Sequence, residues 1–260
     1  MGAVRAVAHR GRQYSLTQRQ RRIFYYTTRG PGVNSLEVEL GRARELSVAD
    51  LADAIESIGF ECTRCGACCR GEEGECEDEA DDAESHSEPH TATIFPDEVR
   101  ELGEATDRDW RDVARPMPYG LTDGAGETFE WALQTDGCGD CVFYDETDGT
   151  GACTAHADRP LICQTYPFSV TLGGTSQPMG EAVDEAGMVR AHECEGLGRD
   201  ISRDDAEDLA RTLKKRAVRE LEEAIGVRDQ YTPVDQGAEA VVVHDSEGQK
   251  RIDGTPFEVE

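Results

Sequence analysis

Cys62-Thr63-Arg64-Cys65-Gly66-Ala67-Cys68-Cys69 places four thiols in eight residues, a density that points to metal or sulfur chemistry. Six more follow, at Cys76, Cys138, Cys141, Cys153, Cys163 and Cys194. Ten cysteines in 260 residues is sparser than a secreted disulfide scaffold, so a metal site in a reducing compartment is the first reading. Cys62-x2-Cys65-x2-Cys68 has the spacing of the first three ligands of a bacterial [4Fe–4S] site. The fourth should follow closely and precede a proline, yet Arg70-Gly71-Glu72-Glu73 supplies neither, so a remote ligand is required. The Cys-x2-Cys pairs equally suit zinc with a distant second pair. Gly66 removes a Cβ where the chain must turn toward metal or sulfide. Cys65-x3-Cys69 opens a radical S-adenosylmethionine motif that Glu72 breaks. Neighbouring side chains diverge in most backbone conformations, so either one of Cys68 and Cys69 is structural or redox-active or the two serve different centres.

Downstream, Cys138-x2-Cys141 lies among Gly137, Gly139 and Asp140, a loop rather than the strand-to-helix junction of a dithiol redox pair. Metal ligation by Cys141, with Cys138 as an auxiliary, is expected. Phe60 to Gly71, Cys141-Val142-Phe143-Tyr144, Cys153-Thr154-Ala155-His156, Arg159-Pro160-Leu161-Ile162-Cys163-Gln164-Thr165-Tyr166-Pro167-Phe168 and Cys194-Glu195-Gly196 together resemble the YkgJ-type cysteine cluster family, a zinc- or iron-chelating domain of the CxxCxxCC type. The resemblance spans about residues 60–199. It implies eight metal-ligand candidates, Cys62, Cys65, Cys68, Cys69, Cys141, Cys153, Cys163 and Cys194, and its relatives include flagellin lysine methylases with an iron–sulfur centre. The acidic insert at 72–88 and the extra Cys138 depart from the family's short pattern. Arg159 is a candidate donor to a cluster sulfur, with a surface ion pair as the alternative, and Tyr166-Pro167-Phe168 reads as packing around the site. His156 and His192 are weaker ligand candidates, and Cys76, His86 and His90 read as incidental.

The net charge is −27, with 54 acidic residues against only three lysines, Lys214, Lys215 and Lys250. That balance resembles proteins of salt-loving organisms, whose medium screens such repulsion, and it argues against nucleic acid as a partner. Residues 1–32 reverse the trend with seven arginines and no acid. Arg21-Arg22-Ile23-Phe24 glances at a twin-arginine signal, but no apolar stretch follows. Export is rejected; a start of translation near Val33 is expected, with a disordered basic arm as the alternative. No apolar run approaches the length of a membrane span, and the expected compartment is the cytoplasm. Leu, Ile, Val and Phe make up only about 18% of the chain, so metal is expected to help hold the core.

Helical spacing predicts two helices between Ser35 and Ile58, with Ser47 and Asp50 capping the second and Gly59 stopping it. Residues 72–88 carry ten acids and no base and read as an exposed, mobile loop. A strand over Thr91–Phe95 should lead into a helix from Pro96 to Leu102, then a short helix at Asp107–Val113. Phe129, Trp131 and Leu133 alternate as a strand, with Val142-Phe143-Tyr144 as its expected partner. From Gly137 to Gly198 the period is weak, as expected where ligation fixes the backbone. A helix from Ser202 to Ile225 carries a Leu209, Leu213, Ala217, Leu221, Ile225 packing stripe and a stop at Gly226. Ala240–His244 and Gln249–Ile252 read as a hairpin. The expected fold is α+β: a small irregular cysteine- and metal-stapled core with short strands, flanked by N-terminal helices and a long C-terminal helix. The expected units are a basic segment at 1–32, helices at 33–59, a cysteine-cluster domain at 60–199, a packed helix at 200–226 and a tail with a hairpin at 227–260.

The sequence points to a metal-binding cysteine-cluster protein with an iron–sulfur centre or zinc as cofactor, and a protein partner stays open. The alternatives are an iron–sulfur-dependent enzyme acting on a protein substrate by methyl transfer or redox chemistry, and a zinc-stapled interaction module. No Ser/His/Asp, paired-carboxylate or phosphate-loop constellation names a reaction.

Overall fold

The computed structural model describes residues 35–71, 89–122, 124–147, 150–172, 180–184, 187–234 and 240–257. The basic segment, the acidic loop, Cys76 and His86 lie outside the described residues.

The N-terminal pair forms as its spacing dictates: α1 (Leu36–Glu45) and α2 (Val48–Ile58) start at Ser35 and Ser47, whose hydroxyls accept N–H bonds from Val38 and Asp50. Then come β1 (Thr93–Ile94), α3 (Pro96–Thr106), α4 (Trp110–Val113), β2 (Ala114–Pro116), β3 (Leu121–Thr122), β4 (Ala125–Thr128) and β5 (Trp131–Leu133). The central part continues with β6 (Tyr144–Thr147), β7 (Thr150–Cys153), α5 (Leu161–Thr165), β8 (Phe168–Val170), β9 (Glu181–Ala182) and β10 (Val189–Ala191). The long α6 (Arg203–Gln230) and the hairpin of β11 (Val241–Asp245) and β12 (Gly248–Lys250) close the fold. The architecture is mixed α+β.

Small sheets replace one large sheet. They run β1-β5-β2, β8-β10-β9 and β12-β11-β4-β3, with β6-β7 as a separate hairpin. β11 joins β4 in parallel, Val242 opposite Glu127, and the other pairings are antiparallel. Two apolar cores result. In one, Leu40, Ile55, Phe168, Val189, Leu213 and neighbours join α1, α2 and α6 to β8 and β10. The other gathers Ile94, Val99, Val113, Trp131, Leu133, Cys141, Phe143 and Val243.

Several expectations are corrected. Val142-Phe143-Tyr144 does not pair as a strand with β5, whose two sides are taken by β1 and β2; β6 pairs with β7 instead. All three β5 residues are buried, because the strand is central and covered on both faces, so alternation there was not a sign of one wet face. The Gly137–Gly198 stretch contains regular structure, namely the β6-β7 hairpin, α5 and β8 to β10. In α6 the expected row packs into the first core, Leu213, Ala217 and Leu221 buried and Leu209 and Ile225 partly so, and Ala206, Ala210 and Val227 extend the buried stripe.

Gly226 does not stop α6, which runs on to Gln230. A Cβ at this position would lie 2.6 Å from Ser246 Cβ, so the glycine is where the helix passes the β11–β12 turn. Gly226→Ala is expected to destabilise by about 1–3 kcal/mol through this overpacking, outweighing a helix-propensity gain of about 1 kcal/mol. Denaturant unfolding checks it, and a stabilised variant would overturn the account.

A charged hub joins sheet to sheet. Asp245, 1% exposed, accepts a hydrogen bond from Trp131 Nε1 at 2.9 Å and an ion pair from Lys250 Nζ at 2.7 Å. Lys250 also meets Glu247 at 2.7 Å and lies over the Trp110 ring, while Arg100 grips Glu247 from α3 at 2.6 Å. Arg100 first, then Lys250, holds the Glu247 carboxyl down to about 2. A depressed carboxyl stabilises the fold above its unfolded pKa near 4.5 and loses that contribution as pH falls toward 2. Because Glu247 is 41% exposed, solvent screening leaves about 1 kcal/mol. Arg100→Ala is expected to flatten the acid limb of the pH–stability profile by that amount; an unchanged slope between about pH 4.5 and 2 would refute the assignment. Among the described residues, no helix is long and apolar enough to cross a membrane.

Candidate metal centre

The chain leaves α2 at Gly59 and enters the thiol loop. Phe60 bridges Leu197, and Glu61 N–H donates to Gly196 O at 3.0 Å, which sets Cys62 beside the turn containing Cys194. The loop then reverses at Gly66 (φ +77°), where Cys69 and Arg70 N–H donate back to Gly66 O at 2.8 and 3.1 Å. The space a Cβ would take at Gly66 is filled by the Tyr144 phenol, so the glycine admits an aromatic ring as well as the turn. Arg70 ties the loop from outside, donating to Cys65 O at 3.0 Å. From the opposite side Gly151 N–H, in β7, donates to Arg64 O at 2.9 Å.

Cys141 is reached through a different set of bonds. Asp136 Oδ1 accepts the N–H groups of Cys138 and Asp140, an Asx-type turn. Asp140 Oδ1 in turn accepts Gly71 N–H at 2.9 Å, and Cys141 N–H donates to Cys69 O at 2.8 Å. Cys153 ends β7 opposite Tyr144. Cys163 sits in α5, whose first N–H group is held by Glu98: its Oε1 accepts from Leu161 N–H at 2.8 Å while Oε2 caps α3 at Phe95. Arg216 of α6 reaches Thr165 Oγ1 at 2.9 Å and so braces the same turn. Asp136 and Glu98 were not singled out from the sequence, and Asp140 and Tyr144 were read only as parts of a loop and of a family-like segment. The spacing of Asp136 to Asp140 around Gly137 and Gly139 was a legible turn signal, but Glu98 acts over 63 residues and left none.

The thiols form one electrostatic neighbourhood. Cys68 and Cys69 Sγ are 3.8 Å apart, and the hydrogen bond between them lowers Cys68 and raises Cys69, so the pair gives up its protons in sequence. Burial, together with neighbouring thiols, pushes Cys141 up to about 11 and raises Cys153, Cys163 and Cys194. Cys163 is raised further by Cys141 and Cys153, and Cys194 by Cys65, Cys68 and Cys62. The Arg159 guanidinium works against this at Cys68, Cys153 and Cys163, and its Nε donates to His156 O at 3.1 Å. Tyr166 stands at Cys194 with its hydroxyl on Glu193 O at 2.9 Å; burial and then that thiol raise it to about 12.

His156 is exposed, with Arg159 holding its pKa below the usual histidine value, and His192 stacks on Tyr166. His90 engages Gly139 and Arg115 through its backbone. Cys138 is disulfide-bonded, which withdraws it as an auxiliary ligand. The eight implied ligands are free thiols. Among the described residues, no three His, Cys, Asp or Glu side chains meet as a closed cage; the thiols share a region without converging on a point. The donor set nevertheless fits a soft, thiolate-bound ion: all-sulfur, in multiples of four, and mutually repulsive when ionised, a repulsion that a cation relieves.

The family model CxxCxxCC, described as "Putative zinc- or iron-chelating domain", matches residues 61–195, more than half of the chain. The protein belongs to this family. No curated protein and no solved structure matches the chain. In this CxxCxxCC chain the matched span begins at the Glu61–Gly196 hydrogen bond, so the segments carrying the first and last family cysteines are joined where the domain closes on itself.

Proposed function

We propose that this zinc- or iron-chelating protein carries an iron–sulfur centre held by thiolates of the eight cysteines. One observation supports the reading most: the ferredoxin-like triple Cys62, Cys65, Cys68 lacks a local fourth ligand, and the Phe60–Leu197 bridge with the Glu61–Gly196 hydrogen bond brings Cys194 beside it. An iron–sulfur centre supplies one-electron chemistry when bound. Around it this chain offers Tyr166 to limit water on one side and Arg159 as positive charge near the sulfurs, while exposed Cys62 and Cys68 leave the centre open to a protein partner for electron exchange. Eight free thiols against the disulfide at Cys138 favour a reducing compartment, and the proposal places the protein in the cytoplasm.

Zinc is the second reading, favoured by the all-thiolate donor set, which satisfies a tetrahedral ion with no open position. Anaerobic purification with iron, zinc and acid-labile sulfide analysis separates the two. Iron and sulfide in matched amounts, with a brown chromophore bleached by reductant, are expected; colourless protein with stoichiometric zinc would defeat the iron–sulfur reading.

A further inference from the structure

We propose that the eight thiols form two separate four-thiolate centres, an outer one of Cys62, Cys65, Cys68 and Cys194 and an inner one of Cys69, Cys141, Cys153 and Cys163. This rests on the metal-binding reading and divides it. A tetrahedral ion or a four-iron cluster takes four thiolates, so eight exceed one centre. The chain sorts them. Cys141 is buried inside the second apolar core, and Cys69, Cys153 and Cys163 are the other thiols that pack against that core. Cys62, Cys65, Cys68 and Cys194 belong to neither apolar core, and Cys62 and Cys68 are exposed.

Backbone bonding follows the same division. Cys141 N–H donates to Cys69 O at 2.8 Å, Tyr144 N–H donates to Cys141 O at 2.8 Å, and Tyr144 pairs with Cys153 across the β6-β7 hairpin. Cys194 is tied to the start of the loop through Glu61 and Gly196, whose own N–H donates to Cys194 Sγ at 3.4 Å. The seam runs between Cys68 and Cys69. Their Sγ atoms, 3.8 Å apart, adjoin across that seam, each serving a different quartet, one exposed at Cys62 and Cys68 and one packed against apolar side chains. The inner centre is a closed structural site of the four-thiolate zinc class; the outer one is the exchangeable, reactive site.

The test counts metal on anaerobically purified full-length protein carrying Cys194→Ser, Cys153→Ser, or both, with circular dichroism as the folding control. Each single variant is expected to lose one of two centres and keep the other, and the double variant to lose both. If Cys194→Ser, Cys153→Ser and the pair all lose the same single centre, the division is overturned while metal binding stands; a metal-free wild type overturns both. Should Cys153→Ser fail to fold, graded chelation of the wild type followed by thiol alkylation and mass mapping serves instead. The outer quartet is expected to label as a group before the inner one, and labelling that mixes Cys163 with Cys62 in one phase would overturn the proposal.

Discussion

Stripping metal from the protein with a strong chelator is expected to unfold one of its two cores and spare the other. The core of α1, α2, α6, β8 and β10 contains no cysteine, whereas the second has Cys141 inside and three more thiols at its boundary. A structural thiolate site contributes roughly 10–16 kcal/mol of binding energy linked to folding, as much as the about 5–15 kcal/mol net stability of a whole domain. Ligand loss should therefore exceed what the second core's own apolar burial can offset. The links from α6 into that half, Arg219 to Asp97 at 2.7 Å and its partly exposed kin, contribute about 1 kcal/mol or less each and cannot hold it. Hydrogen exchange should show protection lost over β5, β6 and β7 and retained over α2 and α6. Unchanged protection across both halves after complete metal removal would sink the metal-stapled core.

Asp245→Ala is expected to cost about 2–4 kcal/mol, because it leaves buried Lys250 with Glu247 as its remaining counter-ion and Trp131 Nε1 without its acceptor. Lys250 is 6% exposed and Trp131 1%, so water cannot replace either contact cheaply. Asp245→Asn keeps an acceptor for Trp131 and removes only the charge; a loss of about 1–3 kcal/mol is expected. Replacing both partners, Asp245→Leu with Lys250→Met, should recover only the ion-pair share of the loss, since leucine gives Trp131 Nε1 no acceptor. Urea midpoints of the four proteins measure this. A loss below about 1 kcal/mol for Asp245→Ala, the range of an exposed pair, would mean that the pair is solvated and the hub unimportant.

What was legible in the chain was what short spacings encode. Ser35, Ser47 and Gly59 bound two helices because caps act within one turn. The hairpin near Asp245 and the helix beginning after Ser202 follow from the same local rules, and Cys62-x2-Cys65-x2-Cys68-Cys69 with its downstream echoes carried the family. Contacts over long separations were not legible. The sequence could not show that β5 would be covered on both sides, that Glu98 would cap α5, or that α6 would continue through Gly226 because Ser246 lies against it.

The thiol cluster divides along the same line. By itself the sequence determined that this chain holds clustered thiolates of a chelating domain, because ligand type and short spacing are local chemistry. Only the tertiary structure decided which thiols keep company: Cys194 returns to Cys62 through a strand-like bridge, and Cys141 reaches Cys69 through the Asp136 turn. Those choices depend on which apolar faces are buried together, and burial is a property of the folded chain as a whole, one that no window of residues contains.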